Sequence, residues 1–125
     1  MQQITFEIIK GRLRSARLEM ETILEKSSLS PFIREKKDYF VAFYDATGRL
    51  IYGTNVPVGA NAVSCVLAEF PPDSMKPGDI YCYNDPYSCN GAVSHTPDVV
   101  FVAPVFFKGY LAGFSMCWSH FWDIG

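Results

Sequence analysis

The chain has two histidines, His95 and His120, and both fall in the stretch from Gly78 to the last residue, with four aspartates, Asp79, Asp85, Asp98 and Asp123. The first histidine sits in Ser94-His95-Thr96-Pro97-Asp98. A His-x-x-Asp spacing, stiffened by Pro97, aims an imidazole and a carboxylate at one point. The second follows an apolar hairpin. Val99 to Phe106 reads as a strand, Phe107-Lys108-Gly109-Tyr110 as its turn, and Leu111 to Trp118 as the antiparallel partner. A turn centred on Lys108-Gly109 sets Val99 beside Trp118 and Ser119, and His120 opposite Pro97 or Asp98. The hairpin therefore predicts that His95, Asp98 and His120 converge. Two imidazoles and one carboxylate make an open metal site suited to zinc, manganese or iron(II), with positions left for water and substrate. Asp123 is a candidate catalytic group, as a fourth ligand or as the partner that orients a histidine. Asp85, just before Pro86, is a second candidate lining the same pocket. The competing reading is that the two histidines only close hydrogen bonds at strand ends.

Other chemistries find less support. Ser94 and His95 are neighbours in sequence, which does not make a nucleophile–base pair. Cys89 lies in the same polar loop, but only His95 is near enough in sequence to activate a thiolate there. Asn90-Gly91 is a turn signal. The chain has no glycine–lysine phosphate loop, so ATP binding is not expected of it.

The elements that must position these groups follow from periodicity. Ile4 to about Lys26 predicts a long amphipathic helix, with Phe6, Ile9, Leu13, Ala16, Met20, Ile23 and Leu24 spaced by threes and fours to form a core-facing stripe. Thr5 is the expected N-cap, and Ser27-Ser28-Leu29-Ser30-Pro31 ends the helix. Arg34 to Asp38 reads as a charged connector, with Asp38 in solvent. Tyr39 to Tyr44, the turn Asp45-Ala46-Thr47-Gly48 and Arg49 to Tyr52 form an aromatic hairpin packed on the first helix. After a loop from Gly53 to Pro57, Val58 to Phe70 predicts a second helix. Pro71 to Asp79, with three prolines, is a stiff surface connector. Ile80 to Tyr83 is a short strand leading into the polar loop. Pro104 suggests an edge position or a bulge for its strand. The fold class expected is α+β: a long N-terminal helix, antiparallel hairpins and a second helix.

At 125 residues the chain holds at most one domain. It is 49% hydrophobic and only 19% charged, a balance that favours burial against further protein. A net charge of −2 gives no electrostatic footprint for nucleic acid. No apolar run reaches a membrane span, and the N-terminus lacks the basic and apolar regions of a signal peptide. A cytoplasmic location is expected. Cys65, Cys82, Cys89 and Cys117 form no C-x-x-C pair and read as reduced thiols. The end at Asp123-Ile124-Gly125, straight after a strand-like segment, reads as a truncated part of a larger domain.

At the chemistry-bearing residues the chain resembles the hydantoinase B/oxoprolinase family. The resemblance is carried by Gly78-Asp79, Asn84-Asp85-Pro86-Tyr87, Ser94-His95-Thr96-Pro97-Asp98-Val99, Ala103-Pro104-Val105-Phe106, and His120 with Asp123-Ile124-Gly125. Ile4 to Ile9 and Asp45 to Leu50 are similar to that family's opening segment. The family includes the B-type component of ATP-dependent N-methylhydantoinase, the C-terminal half of 5-oxoprolinase, and the alpha-type subunits of acetone and acetophenone carboxylases. The resemblance implies that residues 1–125 are the N-terminal piece of a longer hydantoinase B-like domain. It implies a partner, a hydantoinase A-type subunit or domain, that binds ATP and activates the substrate. The B part would then open a cyclic amide (hydantoin or 5-oxoproline); in the carboxylase branch it would carboxylate a ketone-derived enol phosphate. A noncatalytic docking segment of a larger complex is the reading from another class. The metal ligands of the carboxylase branch map onto His95, Asp98 and His120, with manganese or zinc as the metal. Where many members carry a His-His pair, this chain has His120-Phe121.

Overall fold

The computed structural model describes residues 1–54 and 62–123. Helix α1 runs Gln2–Ser27. Thr5 lies inside it rather than capping it: its hydroxyl donates to the Met1 carbonyl one turn back, and Met1 takes the cap position. Ser28 turns to extended backbone as its N–H closes on the Leu24 carbonyl. The second half of α1 packs on the sheet through Met20 and Leu24. Its first turns overhang it. Ile4, Phe6, Ile8 and Ile9 are all more than half exposed, so the expected core-facing stripe covers this chain's core along part of its length only.

The connector after α1 contains a single helical turn, α2, over Pro31–Arg34. Pro31 occupies the first helical position, where its missing N–H costs nothing and its fixed φ suits the helix. Ile33 is completely buried and locks the turn onto the sheet.

Five antiparallel strands follow: β1 (Tyr39–Asp45), β2 (Leu50–Gly53), β3 (Tyr81–Tyr83), β4 (Asp98–Phe107) and β5 (Tyr110–His120). Their order in the sheet is β2-β1-β5-β4-β3. Alternation along each strand divides the core between two faces. Phe40, Ala42, Tyr44, Val100, Val102, Phe114 and Met116 pack with helix α3 (Ala62–Glu69) and with Cys89 and Val93 of the polar loop. Tyr39 and Val41 point to the other face and pack with Ile33, Met20 and Leu24. The predicted start of the second helix, Val58 to Asn61, lies outside the described residues. A short 3₁₀ turn, Pro72–Ser74, interrupts the proline-rich connector.

The long hairpin turns at Lys108 and Gly109, both at positive φ. Pro104 lies on a strand with neighbours on both sides, but β3 pairs only with Val100 to Val102, so Pro104 has just β5 beside it. The register shift comes one step later, between Val105 and Phe106. β5 runs close beside the end of β1 at Gly113, where a Cβ would run into the Tyr44 carbonyl oxygen.

Candidate metal centre

The hairpin delivers the predicted pairing. Asp98, first residue of β4, lies directly opposite His120, last residue of β5, and Val99 lies opposite Ser119. His95 arrives from the polar loop through a tight turn, in which the Asp98 N–H donates to the His95 carbonyl at 3.1 Å. Asn84 braces that loop by donating from its amide to the Thr96 carbonyl at 2.9 Å. The Phe121 N–H donates to the Pro97 carbonyl at 2.9 Å and holds the loop to the end of β5.

The Asp98 carboxylate therefore stands between two imidazoles. His95 Nε2 is 3.2 Å from its Oδ2, and His120 Nδ1 is 3.2 Å from its Oδ1. The imidazole centroids are 5.0 Å apart. Asp98 is buried to a side-chain exposure of 3%, whereas His95 is 49% exposed. One side of the group is thus closed by protein and the other opens to solvent. Burial drives the Asp98 carboxyl above the usual carboxylate range, and the two imidazoles oppose that rise. Among the described residues, His95, Asp98 and His120 are the group whose potential ligand atoms all lie within 4.8 Å of one another. A nitrogen, nitrogen, oxygen donor set at that spacing fits one divalent transition metal with coordination positions to spare.

A second acid, Asp38, joins the corner from the connector while its side chain stays 44% exposed. Its Oδ2 is 3.9 Å from His120 Nδ1, and its carbonyl accepts the His120 N–H at 3.0 Å. Its negative charge also adds to the upward push on Asp98. The cause is sheet order. β1 pairs with β5 as Tyr39 opposite Ser119, so the residue before β1 meets the residue after Ser119.

The two other candidate acids, Asp85 and Asp123, are not among the converging ligand atoms. Asp85 is exposed and is spent on its own turn. Its Oδ1 accepts the Tyr87 N–H at 2.9 Å and its Oδ2 accepts the Ser88 hydroxyl at 2.7 Å. Those bonds, Ser88 first, hold its carboxyl below the usual range. Asp123 is exposed and borders a hollow of about 550 Å3 with Leu24, Ile33 and Trp122. Neither acid belongs to the converging group. Cys89 is buried in the core rather than presented as a thiol beside His95.

The last wall of the site is aromatic. The Phe32 ring leans on the His120 ring, centroids 4.6 Å apart, and Trp122 lies 5.7 Å beyond Phe32. Ser30 ties the same corner together by donating from its hydroxyl to the His120 carbonyl at 3.1 Å.

The hydantoinase B/oxoprolinase family model matches residues 2–125. The B-type component of a putative D-/L-hydantoinase from Pseudomonas sp. (strain NS671) is 34% identical over 98% of this chain and 22% of its own length. The beta component of the Pseudomonas jessenii caprolactamase is 35% identical over 98% of this chain and 21% of its own length. The crystal structure of the ATP-dependent caprolactamase from Pseudomonas jessenii superposes with a TM-score of 0.82 at 31% identity, covering 95% of this chain and 21% of that one. The chain thus spans about a fifth of the length of these relatives.

Proposed function

This chain belongs to the hydantoinase B/oxoprolinase family, and on that footing we propose that His95, Asp98 and His120 hold a divalent metal, zinc or manganese, in an enzyme that opens a cyclic amide. The observation that carries the reading is the buried Asp98 carboxylate, 3.2 Å from each of two imidazoles. A carboxylate placed there without a cation is disfavoured by burial, and a cation between the three ligand atoms relieves that cost.

Bound there, a metal of this class supplies Lewis-acid polarisation of a carbonyl oxygen or a water made nucleophilic near neutral pH. The chain's own residues supply the frame. Asp98 and His120 are fixed by the strand register, and His95 by the turn that Asp98 closes. Asp38, behind His120, fits either an outer partner that orients the imidazole or a further oxygen ligand. Asp98 is closed off from water, so the exposed side at His95 is where substrate enters.

The ATP requirement belongs with a partner of the hydantoinase A type, because these 125 residues contain no phosphate-binding loop. The names of the two relatives, one the B-type and one the beta component of its enzyme, support such a partner. A cytoplasmic location is part of the same reading. Among the described residues, no helix is long and apolar enough to cross a membrane.

The test uses the full-length protein with its partner subunit, ATP, and hydantoin, 5-oxoproline or caprolactam as substrates. Ring opening should cease on chelation, return with zinc or manganese, and be lost in His95→Ala and His120→Ala. Turnover that survives removal of both histidines would sink the proposal.

A further inference from the structure

We propose that Glu25 is a positioning residue for the metal site, fixing the Asp38 carboxylate against His120 through the residues on either side of it; this rests on the metal reading of the same site. Glu25 lies in the last turn of α1. Its Oε1 accepts the Tyr39 hydroxyl at 2.5 Å, and its Oε2 pairs with the Lys37 ammonium at 2.6 Å. The residue between those two partners is Asp38. The Asp38 backbone is clamped as well. Its N–H donates to the Phe32 carbonyl at 3.0 Å, and its carbonyl accepts the His120 N–H at 3.0 Å. One carboxylate on α1 therefore holds both chain neighbours of the acid whose Oδ2 stands 3.9 Å from His120 Nδ1.

Lys37 adds a second observation. Its φ is 57°, in the left-handed region, where the chain turns from α2 into β1. Glycine adopts that conformation without strain, and a side chain does not. A glycine there could not reach Glu25. The strain and the ion pair thus come together, next to the acid that faces His120, and backbone strain of this kind concentrates at functional sites. Tyr39 anchors the other side. Its ring is buried with Ile33 and Val41, so its hydroxyl reaches Glu25 from a fixed body. The Lys37 ammonium, followed by the Tyr39 hydroxyl, holds the Glu25 carboxyl below the usual carboxylate range, and it stays an anion that both can grip. An acid held rigidly beside a ligand imidazole loses less freedom when the metal binds than one on a loose connector.

The affinity of the full-length protein for zinc and for manganese, measured by competition with a chromophoric chelator, tests this through double variants. Asp38→Ala should weaken the tighter of the two about tenfold, and Glu25→Ala about fivefold. In the Asp38→Ala background, Glu25→Ala should cost less than about twofold more, because the group it positions is gone. Glu25→Gln, which keeps an acceptor for Tyr39, should bind metal more tightly than Glu25→Ala. Lys37→Gly separates positioning from stability. It removes the left-handed strain, so the urea midpoint should stay at or above the wild-type value while metal affinity still falls about threefold. The role is refuted if Asp38→Ala, Glu25→Ala or Lys37→Gly binds metal like the wild type, or if the full Glu25→Ala loss persists without Asp38. A wild type that takes up neither metal overturns the metal reading itself, and the positioning role with it.

Discussion

Asp98 and Asp85 lie at opposite ends of one polar loop and are put to opposite uses. Asp85 is exposed, and its turn satisfies it: Tyr87 and Ser88 donate to it, and its carboxyl ionises more readily than usual. Asp98 is buried between two imidazoles, and its carboxyl ionises less readily than usual. The first acid builds local structure at little cost. The second is held by the sheet in a place that does not suit it alone, which is why a bound cation is proposed there. A strained titration with converging donors says more about function than an acid in a conspicuous motif.

The sharpest separation between the two acids should be in metal affinity. Asp98→Ala should weaken zinc binding to the full-length protein by at least about a hundredfold, since it removes the only buried oxygen donor of the group. Asp85→Ala should change it less than about threefold. Competition with a chromophoric chelator measures both, and similar losses in the two variants would erase the distinction.

The next effect is on stability and asks whether the fold, rather than the loop, holds the Asp98 corner. Ile33→Ala empties a fully buried position beneath α2 and should cost about 2–5 kcal/mol in urea unfolding. Ser30→Ala removes a buried hydroxyl's bond to the His120 carbonyl and should cost about 1 kcal/mol. Ser88→Ala, at the exposed Asp85 turn, should leave the midpoint almost unchanged. A Ser88 effect as large as that of Ile33 would contradict the assignment of roles.

The smallest effects are in pH dependence, read on chelated protein by carboxyl NMR. Asp85 has a folded pKa below its unfolded one, so its stabilisation is present above the ordinary aspartate range and is lost as pH falls through the lowered folded value. Asp98 has the reverse sign. Its contribution is fully present below the unfolded pKa and is lost as pH rises through the raised folded value. Asp98 should titrate above the ordinary range and Asp85 below it. The opposite order would break the contrast.

Much of the Asp98 corner was legible because it is local. A turn at Lys108-Gly109 and strict antiparallel pairing suffice to set Asp98 against His120, and the structure has that register. Asp38 was not legible, because its approach to His120 depends on β5 inserting between β1 and β4 in the sheet order. Hairpin patterns disclose which strands are neighbours in sequence but not which hairpins lie side by side. α2 was hidden for a similar reason: a single turn has no periodicity to detect, and only the burial of Ile33 shows why it forms. The apolar spacing of α1 located the helix correctly but did not reveal that its first turns overhang the sheet. Periodicity reports that a face is apolar and does not say which surface covers it. The Asp85 turn was not read from the sequence, although a carboxylate two residues ahead of a free N–H readily closes its own turn.

Asp98 and its two histidines are proposed to hold a metal. Elemental analysis of the full-length protein, purified without chelators, tests it most directly. About one zinc or manganese per chain is expected in the wild type and in Asp85→Ala, and essentially none in His95→Ala or His120→Ala. A well-folded wild type that carries no metal, and takes up none when zinc or manganese is supplied, would contradict it.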